Sequence, residues 1–171
     1  MCHADLARSS EVLAFVAVAR EVIAWVDHGM RTDIRGLHSL LARLQAAAAA
    51  LPDVSTNAEA PDPVDERPPY HNVVQRLAGL PLDHYAVVFD PLEQPEADPV
   101  TASLADDLAD IYNDLLNGFR YFDASRVAEA VWYWRFEYYS HWGRHASHAQ
   151  TALWQFLANG SIAGGALLGS E

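Results

Sequence analysis

The chain has 171 residues, 51% of them apolar, with 23 acids against 11 bases and a formal net charge of −12. That length and apolar content suit one globular domain with a real core. The negative surface repels phosphate, so neither nucleic acid nor an anionic membrane is an expected partner, whereas a basic protein is electrostatically acceptable.

Residue types exclude further chemistries. All 11 bases are arginine, so there is no lysine for a Schiff base or for a phosphate-binding loop. Cys2 is the single cysteine, which leaves no internal disulfide and no cysteine pair to hold zinc. The opening stretch has no basic segment followed by an apolar run, and no apolar run approaches the ~20 residues that cross a bilayer. A soluble, cytoplasmic protein is the expectation. Neither a Gly-x-Ser-x-Gly elbow nor a glycine-rich phosphate loop is present.

In chain order, residues 8–28 read as a first helix. Ser9 or Ser10 caps it, Phe15, Val18, Ala19, Val22 and Val26 line one face, and Gly29 ends it. Asp33 caps a second helix to Leu51, with Leu37, Leu40, Leu41 and Leu44 inward. Residues 52–69 mix prolines with acids and read as a loop. Tyr70 to Leu80 is a short helix, and His84 to Pro91 a locally extended run that lies across the helices rather than in a sheet. Residues 91–102 form a second acidic, proline-rich loop.

Ser103-Leu-Ala-Asp-Asp-Leu-Ala-Asp-Ile-Tyr-Asn-Asp-Leu115 is the most informative stretch. Leu104, Leu108, Ile111 and Leu115 recur at helical spacing, and Ser103 is a good N-cap. Asp107, Asp110 and Asp114 fall on one strip beside the apolar face, near the edge of the core. Asp123 then caps a last, long helix from Ala124 to Asn159, with Gly160 as its stop and Gly143 as a bend. At uniform helical spacing its apolar face is Trp132, Phe136, Tyr139, Ala146, Leu153 and Leu157, widened by Tyr138, Trp142 and Phe156. Residues 161–171 read as a flexible tail after a single domain spanning 1–160.

The candidate chemistry lies in this last helix. His141, His145 and His148 stand at i, i+4 and i+7, with Glu137 one turn before His141. Histidines four apart project from one surface and can share a metal, and Asp110 and Asp114 on a facing helix can supply carboxylates. Asp107, Asp110, Asp114, Glu137, His141 and His145 thus form the candidate constellation. On a regular helical wheel, however, Glu137, His141, Arg144 and His148 share a polar strip of the kind that faces solvent. Three readings stay open: surface or structural histidines with no cofactor, ligands of a divalent metal, or another kind of active site.

The aspartate stretch, followed by Phe136 and His141-Trp-Gly-Arg-His145, resembles the bacterial domain-of-unknown-function family numbered 5063. Tyr85 through Phe89-Asp90-Pro91 is similar to that family's central segment, and Phe15 to Glu21 to its opening helix. The resemblance implies an all-helical domain without assigned catalytic residues. The expected architecture is all-α, a single irregular bundle of about five helices with two acidic proline-rich loops. The expected role is a non-enzymatic protein-interaction or regulatory module. The alternatives are a metal-binding or metal-dependent hydrolytic bundle, and an acidic inhibitor or immunity-type protein for a basic partner.

Overall fold

The computed structural model describes residues 6–56, 70–89, 91–92 and 98–166. Helices dominate it: α1 (Ser10–His28), α2 (Ile34–Ala49), α3 (Tyr70–Arg76), α4 (Leu104–Asp123), α5 (Val127–Glu137) and α6 (Gly143–Ala166). A π-helical segment, Tyr138–Trp142, joins α5 and α6 into one continuous rod. The described residues therefore form five rods, an all-α bundle with one small addition. The acidic loop predicted over 52–69 has no regular structure at 52–56, and its residues 57–69 lie outside the described residues.

Three helices start as their caps dictate. Ser9 Oγ accepts from the Val12 amide at 3.3 Å, Asp33 Oδ1 from Gly36 at 2.9 Å and Ser103 Oγ from Asp106 at 3.3 Å. The helix α4 runs through the middle of the bundle, packed by α1, α3, α5 and α6. Its apolar residues Leu104, Leu108, Ile111 and Leu115 are fully buried.

The addition is a two-stranded antiparallel hairpin, β1 (His84–Val88) with β2 (Pro99–Ser103), in the register Tyr85↔Ala102 and Val87↔Val100. This corrects two expectations: the extended run does pair, and part of the predicted second loop is its partner. A hairpin alone is marginal in water. Here Leu82 and Tyr85 pack against the bundle core, and the Leu104 amide donates to Asp83 O at 2.9 Å, which joins the strands to α4. Pro99 is tolerated because it opens a strand at a sheet edge.

The junction before the last rod also differs from expectation. Asp123 ends α4 and pairs with Arg20 at 3.1 Å instead of capping the next helix. The chain reverses through Ser125, whose φ of 62° lies in the left-handed region, and Arg126 opens α5. At the far end the helix continues past Gly160 to Ala166.

The π segment changes which side of the rod is buried. One extra residue per turn shifts the buried face by one position N-terminal to the bulge. Trp142, Ala146 and Leu153 are buried as predicted, but before the π segment the buried set is Ala130, Val131 and Trp134. Phe136 and Tyr139 are instead 52% and 67% exposed. The wheel failed there because it assumed a constant 100° per residue. Gly143 permits the wide turn: a Cβ there would lie 2.1 Å from Tyr138 O.

Trp134 is the hub that results. Its ring meets Phe15 at 4.9 Å, Phe119 at 5.0 Å and Phe122 at 5.8 Å between centroids. Its Nε1 donates to Leu115 O at 3.1 Å, so the indole leaves no orphan donor. It reaches α4 because residue 118 is glycine: a Cβ there would lie 1.9 Å from Trp134 Nε1. Gly118→Ala should therefore destabilise the fold by about 2–4 kcal/mol, through overpacking and loss of the indole hydrogen bond. Urea unfolding followed by tryptophan fluorescence measures it, and a neutral or stabilising result would show that the helices can separate at no cost.

Candidate functional site

Burial singles out one strip of α4. The buried polar residues of the described chain are Asp107, Asn113, Asp114 and Asn117, all between 4% and 9% exposed. All four come from this helix, within the arc that also carries Asp110. A carboxylate taken from water without a partner costs several kcal/mol, so such a strip requires counter-groups.

The last rod supplies them. His145 Nδ1 lies 2.8 Å from Asp107 Oδ1, and its Nε2 is 3.6 Å from Asp110 Oδ2. His141 Nδ1 lies 2.6 Å from Asp114 Oδ2. The two imidazoles sit edge to face with centroids 5.0 Å apart. Because α4 and the last rod are antiparallel here, acids and imidazoles alternate along the seam as a ladder. Asn117 extends it by one rung, its Nδ2 donating to Tyr133 Oη at 3.1 Å.

All six residues of the predicted constellation are brought together. Asp110, His141 and His145 each offer a ligand atom within 4.8 Å of the others, and so do Asp114, Glu137 and His141. His148, predicted on the same strip, lies outside both trios. It lines a cleft of about 480 Å³ between β1 and α6, and burial pushes its pKa down. Arg144 turns away, with its guanidinium 4.0 Å from the centre of the Phe89 ring.

The electrostatics follow from four carboxylates facing two imidazoles. The hydrogen bond to Asp107 is the largest influence on His145 and raises its pKa, against the effect of burial. Burial raises Asp110, opposed by His145 and His141 and reinforced by Asp114 and Asp107. Burial and then the Asp114 charge raise Glu137. Even with both rings protonated, the cluster carries excess negative charge.

The sequence reading missed Tyr85, whose hydroxyl donates to Asp107 Oδ2 and whose own ionisation burial and that carboxylate suppress. Nothing in the chain order signals this pairing across the hairpin. Asn113 and Asn117 were also missed, although their spacing from Asp110 and Asp114 extends the polar strip and could have marked them.

A model of the family described as "Domain of unknown function (DUF5063)" matches residues 7–159. The chain belongs to the DUF5063 family. The DUF5063 fold is also that of a crystal structure of protein BF1032 from Bacteroides fragilis, a structural genomics target. It aligns with a TM-score of 0.70 at 23% identity, over 86% of this chain and 92% of that one. No curated protein matches the chain. Among the described residues no helix is long and apolar enough to cross a membrane.

The His145 pairing carries a signed pH dependence. Its folded pKa is raised above the ordinary ~6.5. The stabilisation is therefore fully present below about 6.5 and is lost as pH rises through the folded value. In protein stripped with EDTA, His145→Ala should cost about 1.5–3 kcal/mol at pH 5.5 and less at pH 8. Urea unfolding of both forms at the two pH values tests this, and a difference that grows with pH would contradict the pairing.

Proposed function

We propose that the protein is a divalent-metal-binding helical protein whose ligands are Asp110, His141 and His145. The observation that supports this reading is the use of the ring nitrogens. Asp107 and Asp114 engage Nδ1 of His145 and His141, which leaves Nε2 of each ring as the available ligand, and His145 Nε2 is already 3.6 Å from Asp110. A carboxylate on one ring nitrogen orients the other toward a metal and raises its basicity.

Distances and charge agree with this assignment. Ligand atoms around a tetrahedral zinc are about 3.4 Å apart. The three donors lie within 4.8 Å of one another, so small side-chain rotations close the set. Two imidazoles with one carboxylate favour zinc or ferrous iron over magnesium or calcium, which prefer oxygen donors. A bound dication also offsets the surplus of carboxylates. Three protein ligands leave a coordination position for water or substrate, the arrangement that metal-assisted hydrolysis needs.

Protein prepared without a histidine tag should bind one zinc ion, measured by competition with a chromophoric chelator. His145→Ala should abolish tight binding, while Asp107→Asn, which disturbs only the orienting group, should weaken it about 10–100-fold. Affinity should rise with pH, because protons compete for the rings. Zinc affinity indifferent to His141→Ala and His145→Ala would reject the assignment.

One observation favours a second reading, the protein-interaction module. Trp132 and Phe136 stack at 5.2 Å with an interplanar angle of 9°, beside Tyr139, on a face that also carries Arg135 and Val54. Exposed aromatics with an arginine are typical of interface anchors. A Trp132→Ala, Phe136→Ala double variant should keep the zinc affinity of the wild type. Loss of a co-purifying protein with this variant, but not with His145→Ala, would favour the interaction role.

A further inference from the structure

We infer that the free edge of β1 binds an extended peptide segment, apolar at alternate positions and basic at its flanks, laid as a third strand in the cleft between β1 and α6. The inference is independent of the zinc assignment, because none of the zinc ligands lines this cleft.

The hairpin register decides where the backbone groups of β1 point. In an antiparallel pair, residues that exchange hydrogen bonds with the partner strand alternate with residues whose N–H and C=O face away from it. Leu104 donates to Asp83 O at 2.9 Å, and the pairs Tyr85↔Ala102 and Val87↔Val100 follow from that bond in steps of two. Tyr85 and Val87 therefore spend their backbone groups within the hairpin. Ala86 and Val88 turn theirs to the outer edge. Pro99 agrees with this phase: it stands opposite Val88, where the ladder needs no N–H from it. Among the described residues no hydrogen bond outside the ladder takes up the backbone of Ala86 or Val88.

That outer edge opens on the cleft. Tyr85, Ala86, Val87 and Val88 line it in succession, whereas one face of a strand would line it only at every second residue. Its wall is thus the edge of the strand. Ala152 and Phe156 of α6 stand in the opposite wall, and the space between holds about 480 Å³, within the range of binding sites. Backbone donors and acceptors along a strand edge are complemented by another extended chain, which lies ~4.8 Å away. Its inward side chains meet Ala152 and Phe156, which calls for apolar residues at alternate positions.

Charge selects the partner. No acid and no arginine lines the cleft, so an apolar strand enters without burying a charge. The two ends are acidic: exposed Asp83 follows the lining residue Leu82, and exposed Asp98 precedes Pro99, opposite Val88. A second copy of a chain with a net charge of −12 is repelled there, whereas basic residues flanking the strand are attracted.

A phage-displayed library of random linear peptides is selected on the full-length protein, and enriched peptides are synthesised for fluorescence-polarisation titration. Selected sequences should alternate apolar residues beside arginine or lysine. Ala86→Pro removes an outward donor that the β1–β2 ladder does not use, and should weaken binding at least ~10-fold. Thr151→Arg, on the exposed helical wall, should do the same by filling the cleft and repelling a cation. The Trp132→Ala, Phe136→Ala double variant should bind as wild type does. Amide hydrogen exchange reads strand addition itself: bound peptide should slow Ala86 and Val88, while Tyr85 and Val87 are slow with or without it. No enriched peptide, binding that either cleft variant leaves unchanged, or binding without slower exchange at Ala86 and Val88 would each overturn the inference. So would dimerisation of the free protein that Ala86→Pro abolishes, since it would give the edge to a second copy.

Discussion

Two carboxylates, Asp107 and Asp114, are buried in the middle of an apolar helical bundle, and much of the architecture answers to that. Unpaired, each would cost more than the burial of a leucine contributes. The chain meets the demand with imidazoles from a helix that is 27 to 38 residues further on. The rod must then present His141 and His145 to α4 while still burying Trp134, Trp142 and Ala146. On a uniform helix Ala130, which is also fully buried, would lie about 160° round from Ala146. The π segment resolves the conflict by rotating the upstream half relative to the downstream half.

The helices were legible because their signals are local. Ser9, Asp33 and Ser103 cap where side-chain chemistry says they should. The leucine spacing of α2 and α4 predicts the faces that are buried. The polar strip of α4 and the histidines at i and i+4 were legible as a constellation too, since residue type and spacing alone bring them onto facing surfaces. The family resemblance, carried by the aspartate and His-Trp-Gly stretches, pointed to the same helical domain.

What escaped the sequence was non-local. The pairing of His84–Val88 with Pro99–Ser103 joins segments across an acidic, proline-bearing connection, and although the first run read as extended, the second, opened by Pro99, did not declare itself as its partner. Tyr85 reaches Asp107 only because that hairpin lies against α4. The π segment has no compositional mark except Gly143, which reads as a bend and in fact admits a wide turn. From that one omission followed the wrong assignment of Phe136 and Tyr139 to the core. Asp123 shows the converse: a good capping residue at a helix boundary is a cap only if the backbone arrives extended, and the left-handed turn at Ser125 moves the start downstream.

The π segment has a consequence for how the gene can vary. The imidazoles lie inside or just after it, and the tryptophan hub lies just before it. Deleting one codon within the π segment removes its extra residue and restores a regular helix with the two halves still in phase. A deletion in the regular part of the rod, between Val127 and Trp134 or after His145, instead turns one stretch by about 100° against the rest. Side chains beyond that point would then leave the seam. Changes of length compatible with this site are thus confined to the π segment and to the connections outside the rod, where an added residue leaves the rotational phase of the rod unchanged.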